Sequence, residues 1–463
     1  MVDKHVLMGS GSINKALAWL AAPAIIGLVI QTLYGLVDSI FVGQGLGDDG
    51  VIGLAALAIA FPVSHVLLSV AAGVGVGGSS YISRGFGASD SERVKKGIGN
   101  MVIMAILAGI VCTILGLTFL DPVLKIFGAT ETNLPFAHDY MYWIILGCTF
   151  QILTVTLNAI VMAEGNSFYS MGMYTISSVT NIILDYVFIF EFGWGIQGAA
   201  IATIISQMLS VCILIFYMYK VSKLKFDLKW IRFDKTAFWE IGKVGVSEFL
   251  REGALVIMFI IVIWNVNKYG DDSAIAVYGL INRIFGFVII PAMGVVQGMI
   301  PLTGFNYGSK NYDRVRKILK TASIWAVAIS FVLGALTYIF TAELFSLFIT
   351  DTSLIDEAVI AYWIADLSIP VVAFQIVGSA FMQALGKARA SFILALIRQF
   401  SIVPVLAVIP YFMGLMGVWV AFPIADVIAT AITLWFVLNQ LKSLKKEEKL
   451  HEKYAQETAA VTS

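Results

Sequence analysis

Charge is scarce in this sequence: only 13% of its 463 residues are Asp, Glu, Lys or Arg, where soluble domains carry about 25%. So few polar groups cannot cover a water-soluble globule of this size, which makes lipid the outer solvent. Strand-like alternation is missing as well. The apolar stretches run on for about 20 residues instead of alternating over about ten, which leaves helices as the spanning structure whose backbone is fully paired in hydrocarbon. Three cysteines, Cys112, Cys148 and Cys212, all sit in apolar runs without metal spacing, so no disulfide framework is implied. The glycine-rich GVGVGG at Gly73–Gly78 is followed by no Gly-Lys-Ser and lies inside an apolar run. It reads as close helix packing and not as a phosphate loop. No nucleophile elbow, ATPase motif or metal-ligand cluster is found, so neither an enzyme, a cofactor nor a nucleic-acid partner is expected.

What remains is 59% hydrophobic residues arranged in twelve apolar runs. They predict helices near 14–43, 52–82, 95–119, 134–163, 168–190, 196–220, 237–266, 275–305, 315–341, 356–385, 390–411 and 415–440. The expected fold is an all-α polytopic membrane protein of twelve transmembrane helices in two pseudo-symmetric six-helix lobes. The expected divisions are an N-terminal lobe over 1–220, a polar cytoplasmic linker over 221–236, a C-terminal lobe over 237–440 and a charged cytoplasmic tail over 441–463. Basic residues test the count. Arg84, Arg93, Lys95, Lys96, Lys310, Arg314, Arg316, Lys317, Lys387 and Arg389 fall in even-numbered connections, whereas the odd ones hold essentially Lys125 and Lys268. That bias follows the positive-inside rule and places both termini in the cytoplasm of a multi-pass inner-membrane protein.

The chain also repeats itself. Gly73, Gly87, Arg93 and Val94 match Gly294, Gly308, Arg314 and Val315 at a constant offset of 221, which also carries Gly165 (MAEGNS) onto Gly386 (QALGKA). Later, Gly195 and Gly198 meet Gly414 and Gly417 at an offset of 219. Six spans per repeat is an even number, so the repeats are parallel, and two such lobes predict a substrate cleft.

Charge inside a bilayer is expensive, so buried ionisable groups are the functional candidates. Asp38 in helix 1, Asp185 in helix 5, Asn181 one turn before it, and Thr203 in helix 6 share a depth by topology. Two carboxylates at one buried site cannot both stay charged cheaply; a shared proton or a Na⁺ resolves the repulsion, and carboxylate, amide and hydroxyl oxygens suit a hard cation. Across the repeat Asp38 becomes Phe259, Asp185 becomes Pro404 and Thr203 becomes Phe422, so the polar set belongs to one lobe. The second half carries Glu248, Arg251, Glu252, Arg283, Asp366, Arg398 and Asp426. Their mixed signs read as mutual ion pairing, with Glu248 also a gate or substrate contact. His65 in helix 2 reads as a packed histidine before a proton relay. Tyr34, Tyr140 and Met173 are the weaker substrate-cleft candidates among the many aromatic and Met residues.

At these residues the chain resembles the multidrug and toxic compound extrusion (MATE) transporters. PAIIGLVIQTLYGLVDSIFVGQGLG, with Pro23, Asp38 and Gly43, is similar to their first helix; MAEGNS, QALGKA and IPLTGFNYGSKNYDRV are similar to later signatures. The resemblance implies a V-shaped, two-lobed antiporter that expels amphipathic, often cationic organic compounds in exchange for H⁺ or Na⁺; a monomer is expected. It implies the branch with its cation site in the N-terminal lobe (DinF-like): Asp38, Asn181, Asp185 and Thr203, with Asn158 as a neighbour. Asp366 lies too far upstream of Gly386 for a clean match to the branch that uses the C-terminal lobe. Helix 1 is expected to bend near Pro23 and Gly35 as the ion enters. A lipid-linked saccharide flippase of the same superfamily is the alternative, and it should need basic residues along the cleft.

Overall fold

A computed structural model describes residues 4–222, 224–270, 272–346 and 352–462. After a short helix at Lys4–Gly9, twelve long helical segments follow, and no strand occurs among the described residues. They are α1 (Ile13–Gly45), α2 (Gly50–Gly87), α3 (Ser91–Thr118), α4 (Leu134–Ala163), α5 (Ser167–Tyr186) and α6 (Gly195–Phe216). The second series is α7 (Lys235–Tyr269), α8 (Asp272–Gly308), α9 (Tyr312–Ile339), α10 (Thr352–Ala365 and Ile369–Ala384), α11 (Ala388–Phe400 and Ile402–Met413) and α12 (Leu415–Thr462). Among the described residues 11 spans are long and apolar enough to cross a membrane, and the 35-residue α7 completes the twelve.

The repeat is visible in the turn chemistry as well as in the sequence. Asp90 caps α3 by accepting from the Arg93 N–H at 2.9 Å, and Asn311 caps α9 by accepting from the Arg314 N–H at 3.2 Å. Both caps satisfy an amide that the first helical turn leaves without a partner. At the far end, α4 and α10 stop at Ala163 and Ala384, and Gly165 and Gly386 follow with φ of +77° and +71°. The Asn166 N–H then reaches back to the Val161 carbonyl at 3.1 Å, as the Lys387 N–H does to Met382 at 2.9 Å. This left-handed closure strains any residue with a Cβ, which explains glycine in both copies.

Two helices depart from their counterparts. The sequence predicts helix 10 as one run over 356–385, but α10 is interrupted by a 3₁₀ turn at Asp366–Ser368. Pro370 lacks the N–H that would bond the Asp366 carbonyl, which loosens the ladder at that turn. Likewise α11, predicted as one run over 390–411, is broken at Ser401, and Pro404 offers no N–H to the Phe400 carbonyl. Their partners α4 and α5 run through the corresponding depth without a break, although α5 widens into a π-helical turn at Val187–Glu191.

The chain packs as two compact units. One comprises Ala22–Glu252, the other Met1–Ala21 together with Gly253–Ser463. Packing therefore divides the chain inside α1 and α7, not at the polar 221–236 connection. Glycine contacts explain the crossing. A Cβ on Gly77 of α2 would strike the Ile241 carbonyl oxygen of α7, and one on Gly73 would stand 2.9 Å from the Gly245 carbonyl oxygen. In the second unit a Cβ on Gly298 of α8 would stand 2.8 Å from the Ala21 amide of α1. Gly77 and Gly298 are repeat equivalents, and so are the α7 and α1 segments they touch. With lipid as solvent there is little hydrophobic gain on helix association, so small residues that let backbones meet hold the helices together. The first unit centres on Ile82, Ile98, Met101, Met141 and Ile145, and the second on Tyr278, Phe345 and Tyr362, all nearly fully buried. Large apolar side chains such as Phe331 and Trp435 point outward, as a lipid-facing surface requires.

Candidate functional site

Within the unit Ala22–Glu252, α1, α5 and α6 carry the predicted polar residues to one place. Asp185 is fully buried, and Asp38 and Asn181 are nearly so. The Asn181 side-chain amide donates to Asp185 Oδ1 at 3.3 Å and to the Thr203 hydroxyl at 3.4 Å. The carboxyls of Asp38 and Asp185 lie within hydrogen-bonding reach of each other. Four buried oxygens have no partner: Asp38 Oδ1, Asn181 Oδ1, Asp185 Oδ2 and Asn158 Oδ1. Leaving a buried acceptor unsatisfied is costly. The acceptors of Asp38, Asp185 and Asn181, left without a donor, make a receptor for something positive. Among the described residues no three His, Cys, Asp or Glu side chains gather as a metal cluster, so the carboxylate pair and its amide and hydroxyl neighbours are what the site offers.

Beside the pair lies a pocket of about 20 Å³ lined by Tyr34, Ser177, Ser178, Asn181, Thr203, Ser206 and Gln207. About 10–15 Å³ suffices for one water, so it admits a water or a bare ion and nothing organic. Tyr34 thus belongs to the polar pocket and not to a greasy cleft. Tyr140 stands close enough to Asp38, Tyr34 and Asp185 to interact with them electrostatically. Asn158 donates to the Tyr174 hydroxyl at 3.3 Å, and Tyr174 in turn neighbours Tyr34. Ser177, Ser178, Ser206 and Gln207 escape a search confined to charge and to the acids' immediate partners. Their signal is helical spacing: Ser177 is one turn before Asn181, and Ser206 and Gln207 are one turn after Thr203.

The other candidates stand elsewhere. Met173 is packed in the apolar core with Leu157, Val161 and Leu214. Glu248 is ion-paired with Arg251 at 2.6 Å, and Arg251 also pairs with Glu252. His65 packs against Phe61, ring centroids 4.4 Å apart and planes tilted by 57°. Helix α1 is continuous through Pro23 and Gly35, and a Cβ on Gly35 would meet nothing within 4 Å. In the other unit Asp366 and Asp426 border one cavity with Arg398, a set whose mixed signs the sequence reads as mutual ion pairing. The side chain of Arg283 lies outside the described residues.

A helical membrane protein built of two repeats, with an acid pair buried in one of them, has the make-up of a secondary transporter. Comparison with known proteins narrows this. A family model described as MatE matches residues 23–187 and 252–409, and the chain belongs to that family. It is similar to the multidrug export protein MepA of Staphylococcus saprophyticus, 27% identical over 442 residues that cover 95% of this chain and 97% of that protein. MepA of Staphylococcus aureus is 29% identical over 407 residues, covering 87% and 89%. Among solved structures, a MATE protein in a bent conformation superposes with a TM-score of 0.90 at 26% identity, covering 97% of this chain and 100% of that one. A transporter of the MOP superfamily from Pyrococcus furiosus, described by the reversed polarity of its binding pocket, gives 0.90 at 26% identity and covers 96% and 99%. The protein is therefore a multi-pass membrane transporter and not an enzyme.

Proposed function

We propose that this protein is a secondary antiporter that exports amphipathic, cationic organic compounds in exchange for H⁺ or Na⁺ entering at the Asp38–Asp185 pair. The observation that carries the reading is that each of those two carboxyls, and Asn181 beside them, keeps a buried oxygen without a partner. Asp38 and Asp185 hold the ion's charge, Asn181 and Thr203 complete its oxygen shell, and Asn158 borders it through Tyr174. Tyr140 and Glu248 remain the weaker substrate contacts, whereas Tyr34 lines the ion-sized pocket and Met173 is packed in the core. An entering cation removes the repulsion between the two acids. The conformation in which they stand together is thereby favoured, because a ligand shifts an equilibrium by its differential affinity for the two states. Pro23, beside the point where α1 passes from one packing unit to the other, is where the helix yields, with Gly35 as a second soft point. The protein works as a monomer in the inner membrane with both termini in the cytoplasm, a reading the basic even-numbered connections support.

The test is efflux of a fluorescent organic cation from everted vesicles under a pH gradient and, separately, a Na⁺ gradient. One gradient drives efflux in the wild type and fails to drive it in Asp38→Asn. Efflux that keeps its gradient dependence in both Asp38→Asn and Asp185→Asn removes the proposal.

A further inference from the structure

The polar connection between α6 and α7 is pinned to the rest of its unit. Buried Asn100 of α3 donates its side-chain amide to the Arg232 carbonyl at 3.2 Å and accepts from the Asp234 N–H at 3.1 Å. One residue earlier, Gly99 makes room for the Trp230 carbonyl oxygen, which any Cβ there would strike. Lys96 pairs with Asp234 at 3.0 Å, and the Phe226 N–H reaches back to the Met218 carbonyl at 3.0 Å. These bonds fix the backbone, and with it the direction in which each side chain leaves.

The charges on this stretch are sorted by sign. Each acid has a structural partner: Asp227 accepts from the Lys229 N–H at 2.9 Å, Asp234 pairs with Lys96, and Glu240 pairs with Arg93 at 3.0 Å. The bases have none. Lys220, Lys225, Lys229, Arg232, Lys235 and Lys243 are exposed and make no ion pair among the described residues. Between them Leu228, Phe233 and Trp239 are left 65%, 64% and 63% exposed, and the Lys243 ammonium lies 5.3 Å from the centre of the Trp239 ring. Lys235, Trp239, Lys243 and Val246 recur at helical spacing, so this face of α7 passes from basic to apolar, and exposed Val246 and Phe249 continue it. Free ammonium groups among exposed rings, beside a lipid-facing surface, are the make-up of a bilayer interface. The second repeat ends differently: its tail mixes lysines with Glu447, Glu448 and Glu452, and Glu448 pairs with Arg316 at 2.7 Å.

We infer that this surface binds the headgroups of anionic phospholipids in the leaflet it faces. Lys225, Lys229, Arg232 and Lys235 receive the phosphates, while Phe233 and Trp239 rest at the boundary between headgroups and acyl chains. Six unpaired like charges on one short stretch repel each other, and anionic headgroups remove that repulsion. A bound lipid thereby helps to keep the connection seated on α3. Such a site goes beyond the proposed export and is independent of the ion and the compound exchanged.

Electron spin resonance of the full-length protein in phosphatidylcholine nanodiscs, with spin-labelled phosphatidylglycerol as the probe, tests it by the fraction of label held immobile. The wild type holds this label in preference to spin-labelled phosphatidylcholine. Lys225→Gln with Lys229→Gln, and separately Arg232→Gln with Lys235→Gln, each weaken the preference by roughly tenfold, as the loss of two charges at an anionic surface requires. Lys445→Gln with Lys446→Gln removes as much charge from the exposed tail and leaves the preference within about twofold of wild type. Thermal melts identify the folded variants; should one linker pair fail to fold, the other decides. Absence of any preference in the wild type overturns the inference, as does an unchanged preference in the folded linker variants. An equal loss in the tail variant overturns it too, since net charge alone would then attract the lipid. Inorganic phosphate at constant ionic strength leaves the label in place; its displacement would mark a site for the free anion and overturn the assignment to lipid.

Discussion

The two repeats share capping residues, a left-handed glycine closure and a helix-crossing glycine, yet the pockets they build at the same place have little in common. In the unit Ala22–Glu252, α1, an unbroken stretch of α5 and α6 surround about 20 Å³ of polar space lined by Tyr34, Asn181 and Thr203. In the other unit, broken α10 and α11 surround about 180 Å³ walled by Phe259, Phe285 and Phe422. Duplication supplied one backbone; side chains and two prolines made two unlike pockets from it. The difference shows that the repeat constrains where helices meet far more than what they hold there.

Given that division, substitutions at equivalent places should have unlike effects. The largest concerns the acids: Asp38→Asn or Asp185→Asn should reduce gradient-driven efflux in everted vesicles by roughly 100-fold, to the passive leak, because the coupling ion loses its differential hold on one state. Next, Phe259→Asp copies the first repeat's acid into the second. It should not create an ion site, since Pro404 and Phe422 provide none of the partners. It should instead destabilise the protein by about 3 kcal/mol, the cost of an unpaired charge in a membrane helix, readable as a lower melting temperature. A second working ion site there would break the comparison.

Where the repeats agree, paired substitutions should behave alike. Gly77→Ala and Gly298→Ala each force a methyl against neighbouring backbone and should cost about 1–3 kcal/mol by thermal melt. Gly77→Ala should be the more harmful, because the Ile241 carbonyl oxygen is nearer than the Ala21 amide. Gly165→Ala and Gly386→Ala should cost about 1 kcal/mol each, and equally. The smallest effect is an acid-limb one. Asp234 accepts from the Ala237 N–H at 2.9 Å and pairs with Lys96 at 3.0 Å, and these hold its carboxyl below the usual range, the backbone amide first. A carboxyl depressed on folding contributes stability that is present above its ordinary value near 3.8 and lost as pH falls through the folded one. Asp234→Ala should flatten that loss below about pH 4, whereas α1, whose first residue is Ile13, has no equivalent acid to lose.

Much of this was legible in the residues. Long apolar runs and the placement of Lys and Arg yield the helix number, and the offset of 221 yields the repeat. Asp38, Asn181, Asp185 and Thr203 could be grouped because topology alone gives them one depth. Ser177, Ser206 and Gln207 could not be found from charge, since hydroxyls and amides are common in helices and only a defined face singles these out. The cavity beside Asp366 was hidden for another reason. Asp366 and Asp426 are 60 positions apart, and nothing in periodicity says that α10 and α12 turn these acids to one space. Pro370 and Pro404 were the available sign, because each removes a backbone hydrogen bond at membrane depth. The division into units was hidden as well. A polar linker marks where water is, whereas packing units are set by which glycines meet which backbone.

The crossing of α1 and α7 between the packing units bears on how the protein is made. A ribosome releases the chain from its N-terminus, so Ile13–Ala21 emerge long before α8, against which Gly298 packs them, has been synthesised. The unit Ala22–Glu252 is likewise incomplete until the first half of α7 has followed the linker. Neither half can finish assembling on its own, and a gene cut at the linker would yield two fragments that each lack a segment carried by the other.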